Sequence, residues 1–316
     1  MFSLDHVPPR LRAALADVAT AQSGVVSRRE LHRLGVTRWM IAANLRAQRW
    51  RSHGRQSICL HTGTLAAPAA RWCAVIEAGP RSALDGVSAL EAAGLRGFDG
   101  TDSIRVSVPR GARAVRSPGL VVRQTRRLQR SDVVEVGVPR VRVPIAAVRA
   151  ALWAVSDRQA AMILAMVVQQ RLCRAVDIGE ALLAVRRHRR RRMLEAVVLD
   201  LIDGAQAMGE LDFARLCRAH GLPSPDRQVV RRTSRGAAYL DAYWSTFRLV
   251  VEVDGIHHLA ATAVVSDALR HNDMALTSDT VLRLPVLGLR VAPAEFMQQV
   301  REGLVAGGWE PHAAAS

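Results

Sequence analysis

The stretch Arg248-Leu-Val-Val-Glu-Val-Asp-Gly-Ile-His-His258, preceded by Tyr239-Leu-Asp-Ala-Tyr-Trp244, constrains the fold more than any other part of the chain. It reads as two strands that carry Asp241, Glu252 and Asp254 and lead straight into His257 and His258. Leu249, Val250, Val251 and Val253 form a nearly continuous apolar run, the pattern of a strand buried on both faces. A carboxylate in such a run is costly unless a metal or a partner satisfies it. Glu252 and Asp254 are two positions apart, so a period-2 strand turns both to one face, an arrangement that suits a divalent metal bound through oxygen.

The 316 residues allow two or three domains and a sizeable core, and 49% apolar with 23% charged residues is a globular composition. A net charge of +16 and a pI near 11.4 favour a polyanionic partner, nucleic acid before membrane. All 44 basic side chains are arginine, which reflects codon composition in part, yet codon bias does not by itself unbalance basic against acidic residues. Cys59, Cys73, Cys173 and Cys217 are widely spaced and form no C-x-x-C pair; they fit reduced, mostly buried thiols of the cytoplasm. The opening Met-Phe-Ser-Leu-Asp-His lacks the regions of a signal peptide, and the longest apolar run, Ala160 to Val168, is too short to span a bilayer. These features point to a cytoplasmic protein with no membrane partner.

Residues 1–62 are expected to form a small helical unit with a hairpin. Arg10 to Ala21 has helical character, Ser27-Arg-Arg-Glu30 is a capping box opening a second helix that ends near Gly35, and Thr37 caps a third over Arg38 to Ala47. The third helix mixes apolar Trp39, Ile41 and Leu45 with Arg38, Asn44 and Arg46. Short strands at Arg49–Arg51 and Ile58–Leu60 flank the turn Ser52-His-Gly-Arg55. Three helices and a β-wing make the winged helix-turn-helix plan, with the third helix reading a groove. Gly24-Val-Val-Ser-Arg-Arg-Glu-Leu-His-Arg-Leu-Gly-Val36, followed by Arg49-Trp-Arg51, resembles the N-terminal domain of AbiEi-type antitoxins of type IV toxin-antitoxin systems. That resemblance implies a DNA-binding winged helix, with Arg38, Arg46, Arg49, Arg51 and Arg55 as the DNA contacts, and leaves room for a toxin partner.

Residues 63–190 read as a mixed α/β and helical linker domain. Helices are expected at Ala69–Ala78 and Ser88–Gly94, and strands at 103–108, 120–124, 133–136 and 139–143, punctuated by Pro109, Gly111, Pro118 and Gly119. Helices follow from about Ile145 to Arg187, and no reactive constellation occurs in the segment. The run Arg186-Arg-His-Arg-Arg-Arg-Arg192 marks a boundary and reads either as a solvated linker or as a phosphate clamp.

Residues 191–316 follow the order helix, three strands, helix, strand, helix. Glu210 to His220 is a helix stopped by Gly221 and Pro223, and the strands are Asp226–Arg232, Ala238–Trp244, Phe247–Asp254 and Thr280–Leu284, with helices at Val264–Leu276 and Pro293–Leu304. Glu210, Gly221-Leu-Pro223, Tyr239-Leu-Asp241, Val251-Glu-Val-Asp-Gly255 with His257-His258, Asp267-x-x-Arg270 and Val281-Leu-Arg283 together resemble the endonuclease-like domains related to very-short-patch repair enzymes, in the PD-(D/E)XK superfamily. The resemblance implies a mixed sheet flanked by helices, a restriction-endonuclease-like αβββαβ domain, and Mg2+ or Mn2+ held by Asp241 and Glu252 with Glu210 ligating through water. The lysine of that superfamily sits two residues after the second acid; here the position is Asp254. An imidazole, His257 or His258, would then position or deprotonate the water, while Asp254 either adds a ligand or caps the turn at Gly255. Ordinary ion pairs of Asp241 with Arg248, or of Glu252 with Arg270 or Arg283, are the alternative, and Arg270 is otherwise a phosphate contact.

The expectation is therefore an α/β protein overall, multi-domain α+β in detail, acting as a metal-dependent DNA endonuclease whose DNA is held by the winged helix. The rivals are a non-catalytic, antitoxin-like transcriptional regulator with a degenerate nuclease fold, and a nuclease directed at RNA. A homodimer is compatible with either.

Overall fold

The computed structural model describes residues 4–98, 103–112, 117–203, 213–232, 238–254 and 281–311; at 203, 227–232, 238–241, 254, 287 and 290 the backbone alone is described. The protein is mixed α/β with three sheets among the described residues. Contacts divide the chain into two compact units, 1–146 and 147–316.

In the first unit, α1 (Pro9–Ala21), β1 (Val25–Ser27), α2 (Arg28–Arg33) and α3 (Arg38–Arg46) precede the hairpin of β2 (Arg51–Ser52) and β3 (Ser57–Cys59). The three strands form an antiparallel sheet in the order β1-β3-β2. The helix starts are chemically specified. Ser27 Oγ accepts the amide of Glu30, and Thr37 Oγ1 accepts that of Met40, each pairing one of the donors that a helix N-terminus leaves open. The reciprocal arm of the expected capping box is replaced, since Glu30 accepts from the Gln22 amide at 3.1 and 3.2 Å. Ser27→Ala and Thr37→Ala are each expected to destabilise this unit by about 1 kcal/mol, read as a lower urea midpoint at unchanged m; an unchanged midpoint would remove the caps from the account.

Alternation in the small sheet joins two cores. Val26 and Ile58 pack with Leu15, Leu31, Ile41 and Trp50 under the three helices, whereas Val25 and Cys59 meet Ala69 and Cys73 of α4 (Ala67–Ala78). A second sheet follows, built from β4 (Ala83–Leu84), β5 (Ile104–Pro109), β6 (Leu120–Thr125), β7 (Val133–Val134) and β8 (Arg140–Val141) in the order β6-β5-β4-β8-β7. Between β4 and β5 lies α5 (Gly86–Ala92), capped by the fully buried Asp85, which accepts from Gly86 N at 2.7 Å and Ser107 Oγ at 2.5 Å. Hydrogen bonds from both sides offset the cost of burying that carboxylate.

The division of the chain falls within α6 (Val143–Trp153). The second unit continues with α7 (Asp157–Gln169), α8 (Ala175–Leu183), α9 (Arg191–Asp203), α10 (Phe213–Ala219), β9 (Arg227–Arg232), β10 (Ala238–Trp244), β11 (Leu249–Asp254), β12 (Val281–Pro285), α11 (Val286–Val291) and α12 (Pro293–Ala306). The helices before residue 190 belong here because α7 and α9 both pack on α11, which follows the last strand of the sheet. Arg190 fixes the corner between α6 and α7. It is 3% exposed and donates to Leu152 O at 3.2 Å, Ala154 O at 2.5 Å and Asp157 Oδ1 at 2.7 Å. One arginine of the basic run is therefore neither solvated linker nor phosphate clamp.

The sheet of this unit is mixed, in the order β12-β11-β10-β9, with β9, β10 and β11 antiparallel and β12 parallel to β11. One face is covered by Phe213, Phe296, Met297, Val300 and Leu304, which meet Ala242, Trp244, Leu249, Val251, Val253, Leu282 and Leu284. The chain after α12 closes tightly on the β10–β11 turn, for a Cβ at Gly307 would run into the carbonyl oxygen of Phe247. Among the described residues no helix is long and apolar enough to cross a membrane.

Candidate carboxylate site and nucleic-acid interface

The β10–β11 register is set by its turn. Asp226 Oδ2 accepts from Ser245 N at 2.7 Å and Ser245 Oγ at 2.6 Å, and these bonds hold its carboxyl below the usual carboxylate range. Arg248 takes φ +52°, and pairing then runs from Trp244 opposite Leu249 to Tyr239 opposite Asp254. In that register Asp241 lies directly opposite Glu252, and on the other side of β11 Glu252 is in register with Arg283. Directly opposed positions share a face with their Cβ atoms about 4.5–5.5 Å apart, so 241, 252 and 283 form one row across three strands.

Burial corrects the expectation of a strand covered on both faces. Leu249, Val251 and Val253 are fully buried, whereas Val250 and Glu252 between them are only half-buried. In β12, Leu282 and Leu284 are buried while Val281 and Arg283 are exposed. Among the described side chains this is the open face of the sheet, where the cost of carrying charge is small, and the register places position 241 in the same row as Glu252 and Arg283.

Glu252 Oε2 meets Arg283 Nε at 3.2 Å, with side chains 34% and 58% exposed. An exposed pair of this kind is worth about 0–1 kcal/mol, little enough for a divalent cation to displace the guanidinium. Two carboxylate positions facing each other from adjacent strands fit Mg2+ or Mn2+, which take a few carboxylates and keep several waters. Asp254 occupies the next position on this face, opposite Tyr239 and in register with Pro285. Glu210, His257, His258 and Arg270 lie outside the described residues, and among the described side chains no three His, Cys, Asp or Glu groups converge.

In the first unit the five arginines expected to contact DNA are all exposed: Arg38 and Arg46 on α3, Arg49 just beyond it, Arg51 on β2 and Arg55 in the hairpin turn. Arg49 is oriented by a 2.8 Å bond from its Nε to Asn44 Oδ1, and buried Asn44 is itself fixed by donating to Met40 O at 2.9 Å. Arg28 Nε donates to Arg55 O at 2.9 Å, tying α2 to the turn. Trp39 does not join the buried side of α3. It is 68% exposed, with the Arg38 guanidinium 4.7 Å from its ring centroid. The signal was in the period: Ile41 and Asn44 define the buried arc, and at 100° per residue Trp39 falls away from it.

The hairpin also engages a residue that sequence reasoning missed. Glu77, on α4 and 8% exposed, accepts from Arg55 N at 2.9 Å, Gln56 N at 2.7 Å, Ser57 N at 2.7 Å and Ser57 Oγ at 2.8 Å. Nearby, burial together with Arg51 and His61 holds His53 below the usual imidazole range, so it is neutral at pH 7 and the charge of the hairpin rests on its arginines. Neither a protein-family model nor a curated protein matches the sequence of this chain.

Proposed function

We propose that this protein is a cytoplasmic, metal-dependent DNA endonuclease. Its head, α1 to β3, is read as a winged helix that holds duplex DNA through α3 and the β2–β3 wing. Its second unit is read as a restriction-endonuclease-like αβββαβ domain. The observation that carries the reading is the direct opposition of Asp241 and Glu252 on the open face of a mixed sheet, with Arg283 next in the row. Mg2+ or Mn2+ bound there would polarise a phosphoryl oxygen and lower the pKa of a bound water. The two carboxylates would hold that ion, and Arg283, turned from Glu252 to the scissile phosphate, would stabilise its growing charge through a forked donor set.

Incubation of the full chain with plasmid, linear duplex, single-stranded DNA and RNA, in Mg2+, Mn2+ or EDTA, tests this. Metal-dependent scission of DNA is the expected outcome. Cleavage confined to RNA would redirect the substrate, and the absence of cleavage on every substrate would sink the enzymatic reading.

The Glu252–Arg283 ion pair favours a second reading, a DNA-binding regulator, because it satisfies the carboxylate with a guanidinium and needs no metal ion. A regulator of this kind would bind duplex DNA equally well in EDTA and show no rise in melting temperature with Mg2+ or Mn2+.

A further inference from the structure

The buried Glu77 carboxylate asks for an explanation that local structure does not supply. It leaves α4 to reach the turn of the hairpin some twenty residues earlier, where three consecutive amides and one hydroxyl point at it. Successive backbone N–H groups of this kind form a concave nest for an anion. Here the nest is filled from within the protein, so the turn has no amide at 55–57 left to offer a phosphate. The fit is close. Gly54, at φ +108°, has no room for a side chain, since a Cβ there would lie 2.5 Å from Glu77 Cδ. The single Ser57 Oγ proton is shared between Glu77 and His53 O, and His53 N donates to Ser57 O at 3.1 Å, so the turn is pinned from both ends.

We infer that Glu77 is the positioning residue of the wing. It consumes the backbone donors of the turn and thereby fixes where the exposed guanidinium groups of Arg51 and Arg55 stand. The phosphate contacts of the wing are then made by these side chains and not by its backbone, and the DNA-binding head extends to α4 instead of ending near residue 62. The inference rests on the DNA-binding reading above.

The test is the salt dependence of binding of the full chain to a labelled mixed-sequence duplex, followed by fluorescence anisotropy in EDTA. Each phosphate contact contributes about 0.9 to the slope of log K against log salt, so Arg51→Ala with Arg55→Ala is expected to lower the slope by about 2. Glu77→Gln, which keeps the size but points an amide donor at an amide donor, is expected to weaken binding on the order of tenfold and to lower the slope by a similar amount. Added to the arginine pair, Glu77→Gln should cause no further loss, because it acts through them. A merely structural role would lower the melting temperature and leave the slope intact. Gly54→Ala keeps the carboxylate and displaces the turn, so it carries the same expectation should Glu77→Gln fail to fold. An unchanged slope in a folded Glu77→Gln or Gly54→Ala protein, or a loss additive to that of the arginine pair, overturns the inference alone. No binding by the unsubstituted protein overturns the DNA-binding reading itself.

Discussion

Asp241→Ala and Glu252→Ala are each expected to lower metal-dependent DNA cleavage by about a thousandfold while leaving the protein folded. Metal polarisation of the phosphoryl group supplies several kcal/mol of transition-state stabilisation, and each 1.4 kcal/mol is a factor of about ten. The stability cost is expected to be small because the register sets position 241 in the row of Glu252 and Arg283, and Glu252→Ala removes only an exposed ion pair worth about 0–1 kcal/mol. The same substitutions should cancel the stabilisation by Mg2+, which for a ligand at 100 times its Kd amounts to about 2.7 kcal/mol. Activity and metal response must fall together. Cleavage that survives either substitution would place the chemistry elsewhere, and loss of cleavage with an intact metal response would separate the ion from these two carboxylates.

The largest stability effect is expected at Trp244. This side chain is 1% exposed, stands edge-on to Phe213 at 6.3 Å between ring centroids, and donates from Nε1 to Pro223 O at 3.1 Å. Trp244→Ala removes the packing of a large aromatic, about 3–5 kcal/mol, and leaves Pro223 without that donor. Against a total stability of about 5–15 kcal/mol, that loss is a large fraction of the margin that keeps the second unit folded. Trp244→Phe keeps most of the buried area and should cost about 1–2 kcal/mol, chiefly the hydrogen bond and the lost ring. Urea denaturation followed by circular dichroism reads both. A cost below about 1 kcal/mol for the alanine variant would contradict a fully packed site. Because Trp244 heads the pairing that sets Asp241 opposite Glu252, its loss should also reduce cleavage, in proportion to the unfolded fraction.

What the sequence revealed depended on range. Ser27 and Thr37 announce helices through neighbours three residues away, and both caps are formed. The strand Ala238–Trp244 was legible to the residue, and Leu249–Asp254 nearly so, because apolar runs bounded by a tight turn carry their own boundaries. β1 went unseen because three residues carry almost no periodicity. Burial was misjudged at Val250, where hydrophobicity suggested a covered position and the sheet presents its open face. Glu77 was illegible for a different reason. In its own helix it is the one acid in a stretch rich in alanine, and its partners come from a hairpin twenty or more positions away. The pairing of Asp241 with Glu252 was suggested by motif order, but the row they form with Arg283 depends on a parallel pairing that no local pattern encodes.

Arg190 sets a limit on how this chain can drift. Its basic residues are all arginine, and the run from 186 to 192 looks like a string of interchangeable cations. At 190 the buried side chain serves as a bracket, spreading its fork over two carbonyls and a carboxylate. Lysine carries the same charge on a single nitrogen and cannot span those three acceptors with a planar group. A lineage whose codon usage moved from arginine towards lysine would be free to change the exposed members of the run, Arg186, Arg187, Arg189 and Arg192, and would keep this one. The arginine that persists would then report the corner between two helices, and its persistence would say nothing about nucleic acid.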